Sequence, residues 1–219
     1  LRKTKYQLGG RKSPANRYGD ANWEATMLDA LNEGFLGNYD EAIDILDEIL
    51  QNTYERFEKT LRTDAFSAKA TALEKLGRTD EALATYDEAI KISPKQDELY
   101  NNKGILLGKL ERDSEALVCF TKSVDLAKEY KDESEETTKR YADYLSYLSE
   151  SHSELGTTND LNIALKLIDE AIKLNPKGVY AYQVKALILS HVLIEKYDEA
   201  LENCEKALEI DPTDTSLLD

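Results

Sequence analysis

Between Thr79 and Ile92 the apolar residues Ala82, Leu83, Tyr86, Ala89, Ile90 and Ile92 recur mostly at three- and four-residue steps, with polar residues between them. That period draws one apolar stripe down an α-helix. The pattern opens alike in five places: Tyr39-Asp-Glu-Ala-Ile43, Thr79-Asp-Glu-Ala-Leu83, Asp113-Ser-Glu-Ala-Leu117, Leu161-Asn-Ile-Ala-Leu165 and Tyr197-Asp-Glu-Ala-Leu201. Their alanines, Ala42, Ala82, Ala116, Ala164 and Ala200, are 40, 34, 48 and 36 residues apart. Three of the segments also close alike, on Pro94, Pro176 and Pro212. Proline cannot continue a helix, so these residues end it. Asp80, Ser114 and Asp198 stand where an N-cap is wanted. A fixed internal period outranks every other signal. It predicts ten principal helices in five antiparallel pairs, with no strand, stacked so that a concave surface faces other chains.

Particular residue types hold fixed places in the period. Residues 97–130 carry Tyr100, Lys103, Gly104, Leu107, Ala116, Phe120 and Ser123; residues 63–96 carry Phe66, Ala70, Leu73, Ala82, Tyr86, Ala89 and Pro94. The small residues let helix backbones approach, and the large ones fill the space between repeats. This arrangement resembles the tetratricopeptide repeat, a helix-turn-helix unit of about 34 residues. The resemblance covers residues 21–213 and implies an all-α, right-handed α-solenoid. Its units span about 21–56, 63–96, 97–130, 142–178 and 179–214 of a domain at 21–219. Extra residues near Gln51–Arg62 contain no Pro or Gly, which predicts a lengthened helix. A polar run around Glu129–Arg140 predicts an elongated pair of helices, and Gly156–Ile163 predicts a longer turn inside the fourth unit. Two registers are open for the first helix. Counting back from Ala42 puts Thr26, Asp29, Ala30 and Glu33 at core places, whereas Trp23, Met27, Ala30 and Leu31 make a more apolar stripe.

Composition narrows the picture. The chain has 219 residues, 41% of them apolar, with four prolines and ten glycines, enough for one continuous helical core. No apolar window is long enough to span a membrane. Net charge is −15 but unevenly placed. Residues 1–20 hold six bases against Asp20, net +5, and the rest is net −20. Residues 1–20 are thus expected to form a basic arm that contacts an acidic surface. So acidic a body is a poor nucleic-acid binder, because phosphate neutralisation needs Lys and Arg. Cys119 and Cys204 fall far apart in the stack, which argues against a disulfide and for a reducing, cytoplasmic setting. Leu1 is not a start Met, and Thr213–Asp219 reads as the start of another first helix. A longer parent chain is the expectation.

No motif for chemistry emerges. Gly9-Gly-Arg-Lys-Ser13 ends like a phosphate loop but lacks the first glycine and a preceding strand. His152 and His191 have no metal-ligand spacing, and no nucleophile is paired with a base. No catalytic residue, metal or cofactor is assigned, and the chain is read as no enzyme. What the resemblance does imply is a groove lined by the first helices, at Glu24, Met27, Leu31, Gly34; Asp64, Ser67, Thr71, Glu74; Glu98, Asn101, Ile105, Gly108; Asp143, Ser146, Glu150, Ser153; and Tyr180, Gln183, Leu187, Ser190. Six of these are acidic and none is basic. Asn102 alone matches the clamp that some relatives close on a C-terminal carboxylate, so that activity is rejected. The expected partner-binding set is Asp64, Ser67, Thr71, Glu74, Glu98, Asn101, Asn102, Asp143, Ser146 and Glu150. The expected partner is a protein or peptide segment, basic or basic-apolar, with neither nucleic acid nor membrane. A structural or homo-oligomerising module of a longer protein is the alternative.

Overall fold

A computed structural model describes residues 23–52, 59–191 and 194–213. Among the described residues there are ten helices: α1 Trp23–Phe35, α2 Tyr39–Asn52, α3 Lys59–Lys75, α4 Thr79–Ile92, α5 Asp97–Lys109, α6 Asp113–Ala127, α7 Glu135–Leu155, α8 Thr158–Leu174, α9 Val179–Ser190 and α10 Tyr197–Ile210. No strand occurs among the described residues. The expected basic arm and the Gly9–Ser13 motif lie outside them. The chain divides into two compact units, residues 1–95 and residues 96–219.

In the first unit α1 pairs with α2 and α3 with α4. Ala42 and Ala82 are 2% and 0% exposed, as close helix crossings require. Ala30, Ile45, Leu46, Ile49 and Ala65 form one core, with Met27, Leu50, Leu61 and Ala68 against it. Thr26 and Ala30 are buried and Met27 packs against the core, whereas Asp29 and Leu31 are exposed, so the buried face of α1 follows neither register completely. Glu33 takes part by accepting from the Asn38 side chain at 2.7 Å. Helices α2 and α3 reach into the 51–62 stretch from both sides; residues 53–58 lie outside the described set.

The second unit stacks α5–α6, α7–α8 and α9–α10. Two expectations need correction here. The polar stretch after α6 is not an elongated pair, because α6 ends at Ala127 and only α7, with 21 residues, is lengthened. Ser134 supplies the reason. Its hydroxyl accepts from the Thr137 backbone N–H while Thr137 reaches back to the Ser134 N–H, a capping box that starts α7 there. The three extra residues near Gly156 lengthen a helix and not the turn. Thr157 caps α8 through the Asp160 N–H, so α8 starts at Thr158, well before Ala164.

The N-cap assignment is also corrected. Helices α4, α6 and α10 begin at Thr79, Asp113 and Tyr197, which puts Asp80, Ser114 and Asp198 inside the first turn. The N-caps are Arg78, Arg112 and Lys196, with no side-chain cap bond. Each instead pairs with a glutamate three residues on, Glu81, Glu115 or Glu199. The acids of these first turns complement the helix dipole. Ahead of every second helix the chain passes through left-handed φ, at Gly37, Gly77, Glu111, Gly156 and Glu195. Prolines 94, 176 and 212 follow the helix ends as expected. No described helix is long and apolar enough to cross a membrane.

Candidate functional site

In the first unit Asp64, Ser67, Thr71 and Glu74 share one face of α3, at three- and four-residue steps. Thr71 is exposed; the other three are half-buried. The Thr71 hydroxyl donates to the Ser67 carbonyl at 3.1 Å and lies 3.3 Å from the Tyr86 hydroxyl. Tyr86 is 1% exposed, and burial raises its pKa against the lowering effect of Thr71. Thr71 therefore serves a buried phenol as well as the surface.

In the second unit the first helices α5, α7 and α9 neighbour one another in turn, so their residues share a face. Glu98 is exposed, and Asn102 half-buried. Asn101 is 6% exposed, and its Oδ1 has no hydrogen-bond partner. Ser146 is buried and its hydroxyl donates to the Ala142 carbonyl at 3.0 Å, so it adds little to the surface. Glu150 is half-buried and accepts a short hydrogen bond from the Tyr180 hydroxyl. Asp143 keeps solvent contact, yet protein crowds it closely enough that desolvation raises its pKa. Desolvation raises Glu150 too, opposed by the Tyr180 hydrogen bond. The ion-paired or capping acids Glu81, Glu115, Glu135 and Asp160 shift the other way.

Three features of this face are absent from the expected partner-binding set, although Tyr180 is among the expected groove positions. Arg140, placed there by the early start of α7, pairs with Glu98 at 2.5 Å and lies over the Tyr130 ring, 6.0 Å from its centroid. A count of repeat positions passes over it, because the extra residues precede the repeat. Asp97, at the start of α5, is 6% exposed beside the Tyr144 and Tyr130 hydroxyls. Burial first, with the neighbouring carboxylate acting alongside, pushes both phenols well above their usual range. Asp97 Oδ2 and the Tyr144 hydroxyl are close enough to interact electrostatically without satisfying each other's hydrogen bonds.

The third feature is a run of rings. Phe120 stacks on Tyr147 at 5.6 Å and 10°, and Tyr147 meets Tyr180 at 5.0 Å and 45°. A Cβ on Gly104 would sit 2.7 Å from Phe120 Cε1, so the glycine on α5 is what seats this ring. Tyr147 comes one helical turn after Asp143 and three residues before Glu150, whereas the repeat positions counted from the sequence pick its neighbour Ser146 instead. Away from this face His152 pairs with Asp160 at 2.9 Å, a local contact with the start of α8. Neither Cys119 nor Cys204 is in a disulfide.

Residues 72–111 match a family model described as TPR repeat, and residues 97–130 and 179–214 match one described as tetratricopeptide repeat. The chain carries tetratricopeptide repeats. Solved structures agree on the tetratricopeptide-repeat fold. The structure described as MamA 41-end from Desulfovibrio magneticus RS-1 is 18% identical, with a TM-score of 0.67 over 89% of this chain and 97% of that one. Pseudomonas aeruginosa PilF is 16% identical, with a TM-score of 0.70 over 90% of this chain and 79% of that one. YrrB, described as a TPR protein with an unusual peptide-binding site, is 18% identical, with a TM-score of 0.62 over 88% of each chain. At such identities the likeness carries the fold alone. Tetratricopeptide repeats generally mediate association between proteins, through the extended surfaces that stacked repeats create.

Proposed function

We propose that this chain is a non-enzymatic protein-interaction scaffold whose first-helix faces hold a basic or basic-apolar segment of a partner protein. The carrying observation is the pair Asp143 and Glu150 on α7. Glu150 is half-buried and Asp143 is exposed beside it on the same face, and no described Lys, Arg or His is paired with either. Taking carboxylates out of water without a counter-charge is unfavourable, and a partner's cation relieves it. The partner segment would also cover Asn101, Asn102 and Glu98 on α5. Asp64, Ser67, Thr71 and Glu74 would play the same part on the first unit.

A titration tests this. Short lysine- and arginine-containing peptides, and acidic peptides of equal length, are added to the intact chain and followed by fluorescence anisotropy. Basic peptides are expected to bind, more weakly as salt rises past the level at which a Debye length is about 10 Å. Acidic peptides binding as well as basic ones, or neither binding, contradicts the reading.

A specific observation favours a second reading, self-assembly. Leu28, Phe35 and Leu36 at the first hairpin are 59%, 92% and 68% exposed. A molar mass that rises with concentration supports assembly through that end, and a constant monomer mass opposes it.

A further inference from the structure

The second unit already holds one guanidinium by a recognisable arrangement. Arg140 pairs with the Glu98 carboxylate and lies over a tyrosine ring, Tyr130. Planar guanidinium suits both contacts, because it forks onto carboxylate oxygens and stacks on aromatic surfaces. The same ingredients recur further along α7. Asp143, Tyr147 and Glu150 follow at steps of four and three on one helix face. Tyr147 is braced between Phe120 and Tyr180, and the Tyr180 hydroxyl donates to one oxygen of Glu150. These contacts hold the rings and the Glu150 carboxylate in place before any partner arrives. No described cation pairs with Asp143 or Glu150, unlike Glu98.

We propose that Asp143, Glu150 and the Tyr147–Tyr180 pair form an arginine-reading site, where guanidinium groups of a partner protein dock on the carboxylates beside the phenol rings as Arg140 docks on Glu98 and Tyr130. The inference rests on the basic-segment reading above and narrows it to arginine. Seven residues on a helix span about 10 Å along its axis, too far for one guanidinium fork to serve both carboxylates. The site therefore takes two arginines, one at each end of Tyr147. Desolvation of the half-buried Glu150 carboxylate supports the assignment, since a bound cation returns it toward its ordinary range. Lysine fits less well, because a compact ammonium is more strongly hydrated and gains less from a ring surface.

The probes are a short peptide alternating arginine with glycine, its citrulline counterpart, which keeps the shape without the charge, and its lysine counterpart. Calorimetric titration on the intact chain is expected to give the tightest binding for arginine, weaker for lysine, and at least about tenfold weaker for citrulline. The double variant Asp143→Asn with Glu150→Gln is expected to lose about tenfold in affinity for the arginine peptide, while its helical spectrum stays unchanged. Gln still accepts from Tyr180, and Asp143 faces solvent, so both changes leave the packing intact. Tyr147→Leu tests the ring and is expected to narrow the gap between the arginine and lysine peptides. Full arginine-peptide affinity in the double variant overturns this site while leaving the scaffold reading in place. Equal binding of the citrulline and arginine peptides overturns the charge reading as well. Failure of every basic peptide to bind the unmodified chain overturns both.

Discussion

Gly104 shows how one residue reaches from backbone to side-chain packing across three helices. Its missing side chain leaves room for Phe120, and Phe120 carries the ring run to Tyr147 and Tyr180. In a helix interior Ala is favoured over Gly by about 1 kcal/mol, whereas overpacking costs about 1–3 kcal/mol. Overpacking wins here because Phe120 is 5% exposed and stacked, with little freedom to retreat. Gly104→Ala is expected to lower stability by about 1 kcal/mol net, read from the urea midpoint. A higher midpoint would mean that the ring swings aside freely. At Glu150 the sign of the pH dependence is set by its raised pKa. The folded chain holds that proton more tightly than the unfolded chain does. This contribution to stability is therefore full below the unfolded carboxylate pKa and lost as pH rises through the folded one. Asp143 behaves alike. Asp143→Asn with Glu150→Gln should raise the melting temperature at neutral pH and leave it unchanged once the carboxylates are protonated. A lower melting temperature at neutral pH would show that the carboxylates are satisfied inside the chain.

At the scale of the element, the alanines that open the second helices decide packing. Ala82 and Ala116 are 0% and 1% exposed at helix crossings. Ala82→Leu and Ala116→Leu are each expected to cost about 1–3 kcal/mol through overpacking. Unchanged denaturation midpoints for both would contradict the helix register. The same alanines explain why the sequence was informative about helices. A small residue at a crossing and a three-to-four stripe are local signals, and they located all five hairpins. The helix ends were harder to read. Ser114 and Asp80 have the chemistry of N-caps, but an Arg and a first-turn Glu close α4 and α6 instead, which moves each start back by one or two residues. Around Glu129–Arg140 the absence of Pro and Gly suggested helix throughout. The cap at Ser134 wins locally, because its hydroxyl and Thr137 satisfy backbone donors that a continuous helix would otherwise have to pair.

For the molecule as a whole, acidity was visible in the composition but its pairing was not. A count of charges at repeat positions treats Glu98, Asp143 and Glu150 alike. Only side-chain geometry separates Glu98, which Arg140 neutralises, from the other two. Ser146, at an equivalent position, turns inward to its own helix. Tyr147 and Tyr180 matter because residues from three different helices meet, and no single helix announces that. On the second unit the proposed scaffold would hold a basic partner segment along α5, α7 and α9. Hydrogen exchange measured with and without a saturating arginine-containing peptide tests it most directly. Slower exchange is expected along the surface of α5, α7 and α9, centred on residues 140–150, with α6, α8 and α10 unchanged. Protection confined to the second helices, or none at saturation, would contradict it.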